Sequence, residues 1–348
     1  MAEAVQDLKL SAREQLEAVL CERLAEEYGT GTKIEGLARL SGGASRETWS
    51  FDALKPDGAR QPLILKRDPM DRQVEKKFEG VPEGRLNVGR LVEGRLLQLA
   101  GEVGVPMPKV PFFLHKDERT TEGFFSHRLM GEALGRRIVR DDAYARARPM
   151  LAYQIGHAAG CFHTIPMENL PAMRGLPAAE ELLHYRAIMD SFRQPHAGFE
   201  YGFRWLQERL ELAGERYGLC HGDFRNGNIL VDQDGLIGVL DWESAHLGNP
   251  GSDLGWMCVR SWRYGYHDNI VGGFGDVADM IDGYEAAGGG RLDAEEIYFW
   301  QVFGTLRWGI LCMILCFTHL DGEQRTVEYA GIGRRAAETE YDLLQLLD

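Results

Sequence analysis

His221-Gly222-Asp223-Phe224-Arg225-Asn226-Gly227-Asn228, followed by Ile229-Leu230-Val231 and then by Leu236-Ile237-Gly238-Val239-Leu240-Asp241, carries most of what this chain discloses about itself. The two apolar runs are separated by Asp232-Gln233-Asp234-Gly235, whose Asp and Gly residues suit a hairpin turn. A hairpin sets Asn228 just before one strand and Asp241 at the end of its partner, so the two meet at one end. Their amide and carboxylate oxygens are ligands of the kind Mg²⁺ takes. Asp223, on the loop ahead of them, is a carboxylate able to orient a hydroxyl and accept its proton. Alone, each residue is an ordinary turn former or strand-ending acid. The joint H-x-D-x-x-x-x-N spacing, with an Asp after the next apolar strand, is far more specific and points to phosphoryl transfer.

Upstream, Pro62-Leu63-Ile64-Leu65-Lys66 reads as a strand that carries a lysine. Burying an ammonium is costly unless it is paired, and Glu93 on the next helix is the candidate partner. A solvent-facing lysine on an edge strand is the alternative. Between two shorter β-type runs, 36–40 and 47–51, lies Ser41-Gly42-Gly43-Ala44-Ser45. Its exposed N–H groups can cover phosphates as a nest, although a plain tight turn has the same composition.

The rest of the chain falls into two textures. The spacing of Leu16, Val19, Leu20 and Leu24 predicts an amphipathic helix over 11–28. Strands follow at 36–40, 47–51, 62–66, 110–115 and 123–130, with a type I turn at Lys55-Pro56-Asp57-Gly58, a charged stretch over 68–83 and a helix over 86–100. After Gly131 long helices dominate: 142–163, 178–192, 202–213 and several beyond Asp253, one of them opened by a capping box of Asp293 with Glu296. The expectation is an α+β chain with a small antiparallel β lobe over 1–130 and a large helical lobe over 131–348.

Composition narrows the partners. The 348 residues hold 53 acids against 39 bases, a net charge of -14. That sign argues against nucleic acid and against an anionic membrane surface, while a few placed cations and bound Mg²⁺ still suffice for a nucleotide. Six cysteines without a C-x-x-C pair read as reduced, buried thiols. The N-terminus lacks an apolar signal core and the longest apolar run, 308–317, is too short to span a bilayer, so a cytoplasmic protein is expected.

With these residues in view, the chain resembles the aminoglycoside phosphotransferase and choline-kinase superfamily, whose fold is that of protein kinases. The order of elements matches from about residue 30 to the C-terminus. His221-Gly222-Asp223-Phe224-Arg225, Leu240-Asp241-Trp242-Glu243 and Gly248-Asn249-Pro250-Gly251-Ser252-Asp253 resemble the branch related to the kinase-like domain of certain acyl-CoA dehydrogenase fusion proteins. That branch is associated with phosphorylating hydroxyacyl-CoA. The resemblance implies ATP and Mg²⁺ as cofactors, Asp223 as catalytic base, Arg225 near the transferring phosphate, and Asn228 and Asp241 as metal ligands. It assigns Lys66 and Glu93 to the ATP phosphates, and backbone groups near His127 to Leu129 to adenine at a hinge. His221 and Asp253 are expected to brace the loop, and Glu243 to reach the metal or solvent. No Arg precedes Asp223 and no A-P-E sequence follows Asp241, which argues against activation-loop control and a protein substrate.

Trp256, Trp262, Tyr264, Tyr266, Tyr298, Phe299, Trp300, Phe303 and Trp308 crowd the last ninety or so residues. Most should form core, and some an apolar acceptor pocket. The expected activity is phosphorylation of a hydroxyl on a small organic acceptor, a hydroxyacyl-CoA or another lipophilic molecule. Three rivals are an aminoglycoside kinase with an acidic cleft (Asp276, Asp279 and Asp282 share a helical spacing), a choline-type kinase with an aromatic cage, and a non-catalytic ATP-binding regulator.

Overall fold

Alternation along Leu63-Ile64-Leu65-Lys66 puts both leucines, fully buried, on one face of a strand. The face they meet belongs to the predicted first helix, where Leu16, Leu20 and Leu24 recur at helical spacing. Each such side chain contributes roughly 1.5–3 kcal/mol of burial, enough to set the strand's register.

The computed structural model describes residues 12–40, 47–70 and 87–348, and these fall into two compact units. The first unit takes in residues 12–40, 47–70, 89–97 and 108–129. Its elements are α1 (Ala12–Tyr28), β1 (Lys33–Arg39), β2 (Glu47–Leu54), β3 (Arg60–Arg67), the start of α2 (Arg90–Glu102), β4 (Phe112–Leu114) and β5 (Gly123–His127). The strands form one antiparallel sheet in the order β1-β2-β3-β5-β4. Gly58 N–H closes the predicted turn onto the Lys55 carbonyl at 2.9 Å. Because β3 lies inside the sheet, Lys66 pairs in register with Thr48 on β2 and Phe124 on β5, and is not an edge residue. Helix α2 presses on the sheet at Gly94, where a Cβ would come within 2.5 Å of Phe113. The charged stretch expected over 68–83 lies mostly outside the described residues.

The second unit takes in residues 87–88, 98–107 and 130–348. It contains α3 (Gly135–Arg140), α4 (Arg148–His163), α5 (Ala178–Ser191), α6 (Ala197–Glu208), β6 (Gly218–Cys220), β7 (Ile229–Val231), β8 (Leu236–Val239), β9 (His246–Gly248), α7 (Gly251–Met257), α8 (Val277–Ala286), α9 (Ala294–Leu320), α10 (Val327–Gly333) and α11 (Arg335–Leu347). The helix expected over 142–163 is broken. Pro149 fits only the first turn of a helix, so α4 begins at Arg148 and a single 3₁₀ turn, Asp142–Tyr144, precedes it. The capping box expected at Asp293 does not close. Asp293 caps α9 through the Glu295 amide at 3.0 Å, but Glu296 turns away to Arg216 at 2.7 Å.

The ten-residue apolar run is only part of α9. At 27 residues this helix is long and apolar enough, by length and composition, to cross a membrane, yet half of its apolar window is buried inside the protein. Phe299, Phe303 and Ile310 of α9 form the core with Tyr185, Phe199, Leu206 and Leu343, and Gln301 and Thr305 are buried along it. Helix α9 is therefore the central beam of this unit.

Candidate active site

Strand β6 delivers the chain into the His221–Asn228 loop, and β7 takes it out. At the entry Gly222 has φ +80°, and a Cβ there would lie 2.1 Å from the Ser244 carbonyl oxygen, so only glycine fits. The buried carboxylate of Asp253, in the first turn of α7, accepts the amides of His221 at 2.6 Å and Gly222 at 2.9 Å. It also accepts His163 Nε2 at 3.1 Å. Burial works against the charge of Asp253, but the His163 hydrogen bond, the neighbouring imidazoles and the His221 amide outweigh it and hold its carboxyl below the usual range. His163 is itself pushed down by burial. It is therefore a neutral ring whose Nε2–H donates to Asp253 while Nδ1 faces the Tyr284 hydroxyl at 3.2 Å.

His221 links the loop to the hairpin. Its Nδ1 accepts the Asp223 amide at 3.2 Å, so Nε2 carries the hydrogen and donates to the Leu240 carbonyl at 2.9 Å. Leu240 N–H in turn donates to the Asn228 carbonyl at 2.8 Å, which draws Asn228 and Asp241 to one end of the β7–β8 hairpin. Asp241 has φ 63° and ψ 63°, a left-handed conformation that Asp tolerates better than most residues.

Three donors hold the Asp223 carboxylate: Asn228 Nδ2 at 2.6 Å, Trp256 Nε1 at 2.8 Å and Arg225 Nε at 3.0 Å. Its side chain is still 26% exposed, so a hydroxyl can reach it. Asn228 Nδ2 also donates to the Asp223 carbonyl at 2.9 Å. With the amide nitrogen so occupied, Oδ1 is the atom Asn228 has left for a ligand. Among the described residues no group of three or more His, Cys, Asp and Glu could hold a metal. An amide oxygen plus one carboxylate suits Mg²⁺, which keeps water and substrate phosphates as its other ligands. Asn228 and Asp241 therefore fit that ion. Glu243 accepts the Val88 amide on its carbonyl at 2.7 Å.

In the first unit Lys66 Nζ lies 3.2 Å from Glu93 Oε1, with the lysine 23% exposed and the acid fully buried. Arg90 Nη1 bonds the other oxygen of Glu93, and Arg90 Nε reaches Asp68 at 3.3 Å. Strand β5 ends at His127, whose amide donates to the Lys109 carbonyl at 2.8 Å. Leu129, two residues on, is half-buried. Ser41, Gly42, Gly43, Ala44 and Ser45 lie outside the described residues.

Sequence reasoning placed Trp256 among the core or acceptor-pocket aromatics and not on Asp223, and it missed Arg307 on the Gly222 carbonyl and Arg90 beside Glu93. Trp256 follows Asp253 by three residues, so both lie on one face of α7 and reach the same loop, a spacing that was available to read. The aromatic residues divide. Tyr298, Phe299, Trp300 and Phe303 belong to the main core or pack against it. Trp256 and Trp262 form a second buried cluster, and Trp308 packs against both it and the main core, with ring centroids 5.3 Å apart for Trp256–Trp262 and 4.8 Å for Trp262–Trp308. Arg225 covers Trp262 at 4.6 Å and Arg307 covers Trp256 at 4.6 Å. Asp276, Asp279 and Asp282 are all exposed, with Asp276 serving as the cap of α8.

Residues 36–289, nearly three quarters of the chain, match the model of the phosphotransferase enzyme family. Among curated proteins, the probable acyl-CoA dehydrogenase IBR3 of Arabidopsis thaliana is 37% identical over 61 residues, 16% of this chain and 7% of that protein. The probable serine/threonine-protein kinase MRK1 homolog of Encephalitozoon cuniculi is 29% identical over 97 residues, 28% of this chain and 24% of that protein. The chain thus spans less than a quarter of the length of either relative. Among solved structures, a proposed aminoglycoside phosphotransferase of Ralstonia eutropha superposes with a TM-score of 0.71 at 17% identity, over 96% of this chain and 97% of that one. A choline/ethanolamine kinase family protein of Mesorhizobium loti gives 0.58 at 17% identity, over 95% and 94%. A macrolide 2′-phosphotransferase of Brachybacterium faecium gives 0.59 at 16% identity, over 92% and 97%. At such identities the likeness is one of fold, the two-lobed α+β fold of the kinases.

Proposed function

The chain belongs to the phosphotransferase enzyme family; from that premise we propose that it is an ATP-dependent small-molecule kinase working with Mg²⁺, whose acceptor is a lipophilic organic hydroxyl seated against the Trp256–Trp262–Trp308 cluster, with Asp223 as base. The observation that carries this reading is the indole N–H of Trp256 on the Asp223 carboxylate, which joins the base directly to a cluster of indoles, two of them buried and the third, Trp308, only partly so. The acceptor oxygen attacks the γ-phosphorus, its proton passes to Asp223, and the bond to the bridging oxygen breaks to release ADP. Arg225 lies beside the base to meet charge on the transferring group. Asn228 and Asp241 hold Mg²⁺, which when bound neutralises the phosphate charge.

On the ATP side, expected within residues 1–130, Lys66 with Glu93 positions the phosphates, and backbone groups near His127 and Leu129 meet adenine. Because the His127 amide is already committed to Lys109, the Leu129 end of that segment is the one left for the base. The likeness to IBR3 supports a hydroxyacyl-CoA as acceptor.

Two mutants test the roles. Asp223→Asn is expected to lower turnover by about 10²–10⁴-fold while Mg-ATP affinity changes little. Asp241→Asn is expected to damage both, because it removes charge from the metal's ligand set. Stopped-flow nucleotide binding with steady-state turnover reads the contrast, and near-wild-type turnover in Asp223→Asn would remove it as base. Mass spectrometry with hydroxyacyl-CoAs, choline and kanamycin tests the acceptor; a best signal from kanamycin or choline defeats the lipophilic reading, and no ATP consumption with any acceptor favours a regulator.

A further inference from the structure

Near the base lies a group of cationic and neutral donors that no step above uses. Arg307, on α9, donates Nη2 to the Gly222 carbonyl at 2.7 Å and stacks on Trp256, so it sits one residue from Asp223. Its Nε is buried with no hydrogen-bond partner among the described residues. Arg174 Nη1 is in the same state. Arg174 is anchored next to the catalytic strand: its carbonyl accepts the Leu247 amide at 2.8 Å, and β9 pairs with β6. His184, on α5, is only 9% exposed, and both of its ring nitrogens are buried without a partner. Neither arginine makes an ion pair among the described residues.

These groups lie close enough to act on one another. The Arg307 guanidinium lies 6.0 Å from the Tyr185 ring, and Tyr185 adjoins His184 on α5. Burial pushes the Tyr185 phenol up and Glu181 adds to this, while Arg307, by its charge and a hydrogen bond, and more weakly the charge of Arg174 pull it down. His184 is pushed down by burial and then by Arg174, which keeps it a neutral ring with one N–H to give. The acids facing the group are Glu181, Asp223 and Asp253, and they act on Arg307 from beyond ion-pair distance. Leaving guanidinium N–H groups dry and unpaired is costly, and a ligand with anionic oxygens removes that cost.

We propose that Arg174, His184 and Arg307 form an oxyanion-binding site beside the base, so that the acceptor carries a carboxylate or phosphate group as well as its hydroxyl. The acceptor part of this inference rests on the kinase reading; the site itself does not. A cationic acceptor would set its ammonium groups against two guanidiniums, which argues against a polycation or a quaternary amine here.

Ligand-observed NMR titration of the full chain tests it, nucleotide-free and again saturated with Mg-AMP-PNP. The probes are 3-hydroxybutyrate, glycerol 3-phosphate, the neutral 3-hydroxybutyramide and choline. At least one anion is expected to bind about ten-fold or more tightly than the amide in both states, and the preferred anion names the source of the oxygens. Arg307→Met and Arg174→Met should each abolish the difference, and Arg307→Lys should restore part of it, which a mere brace of Gly222 would not do. Equal binding of amide and both anions, tightest binding of choline, or an unchanged preference in Arg174→Met overturns the proposal. Should Arg307→Met not fold, Arg174→Met decides alone, since none of its side-chain nitrogens holds the catalytic loop. A chain that fails to bind Mg-AMP-PNP strikes the kinase reading instead, and the nucleotide-free titration still judges the site.

Discussion

Glu93 is fully buried and shared between Lys66, which is partly exposed, and Arg90, which is 2% exposed. The two cations therefore depend on it unequally. Removing Lys66 leaves an acid still bonded by a guanidinium, whereas removing Glu93 strands a buried charge, a change that costs about 3–5 kcal/mol in typical cases. Asp68 still serves Arg90, so the lower end applies. Glu93→Ala is expected to lower the urea midpoint clearly, Lys66→Ala to shift stability by about 1 kcal/mol or less, and both to weaken Mg-ATP binding. Equal destabilisation by the two would show that Arg90 does not need Glu93. The Lys66–Glu93 pair was legible because a lysine inside an apolar strand demands a partner. Arg90 was not, because an arginine three residues ahead of an acid reads as a solvated helix face.

Elements with their own local signal were read close to their true ends. The β7–β8 hairpin, the Lys55–Gly58 turn and α1 each announce themselves within a few residues, by turn chemistry or by period. What stayed hidden depends on partners distant in the chain. Strands β6 and β9 are three residues each and exist only as a pair. The cap of α9 follows a local rule, but its capping box yields to Arg216, some eighty residues away. Helix α7 shows how one short element divides its work: Asp253 holds loop amides, and Trp256, on the same face, holds the Asp223 carboxylate. Asp253→Ala leaves two buried amides and the His163 N–H without an acceptor, and is expected to cost about 3 kcal/mol or more of stability. Trp256→Phe keeps the ring against Trp262 and removes only the N–H. It is expected to leave the urea midpoint nearly unchanged and to lower kcat about ten-fold, with KM for Mg-ATP unaltered. Loss of stability rather than turnover in Trp256→Phe would make that indole a packing residue alone.

The response of the whole molecule to acid sets two opposing effects against each other, and their ranges decide between them. The chain carries a net charge of -14, so lowering pH relieves self-repulsion and favours folding. That term acts between exposed charges and is screened over about 8 Å at 0.15 M salt. The buried groups act the other way. His163 and His184 are pushed below their ordinary value of 6.5, mainly by burial. A group depressed in the folded state contributes stability in full above its unfolded value, and loses it as pH falls through the folded one. The loss from both histidines therefore begins near pH 6.5. Glu296 and Asp342 are raised by burial, so each favours folding as pH falls toward its ordinary value, 4.5 and 3.8 respectively, and flattens the curve there. Below 3.8 the depressed Asp253 adds a second loss. At 0.15 M salt the urea midpoint is expected to fall between pH 7 and 5.5, level toward 4.5, and fall again below 3.8. Six of the seven tryptophans lie in the second unit, which also holds all five of these groups, so indole fluorescence follows the right part of the molecule. His163→Gln keeps an N–H for Asp253 but cannot take up a proton, and is expected to flatten the first descent. A wild-type midpoint that rises from pH 7 to 5.5 would mean that surface repulsion, not the buried imidazoles, governs this protein's response to acid.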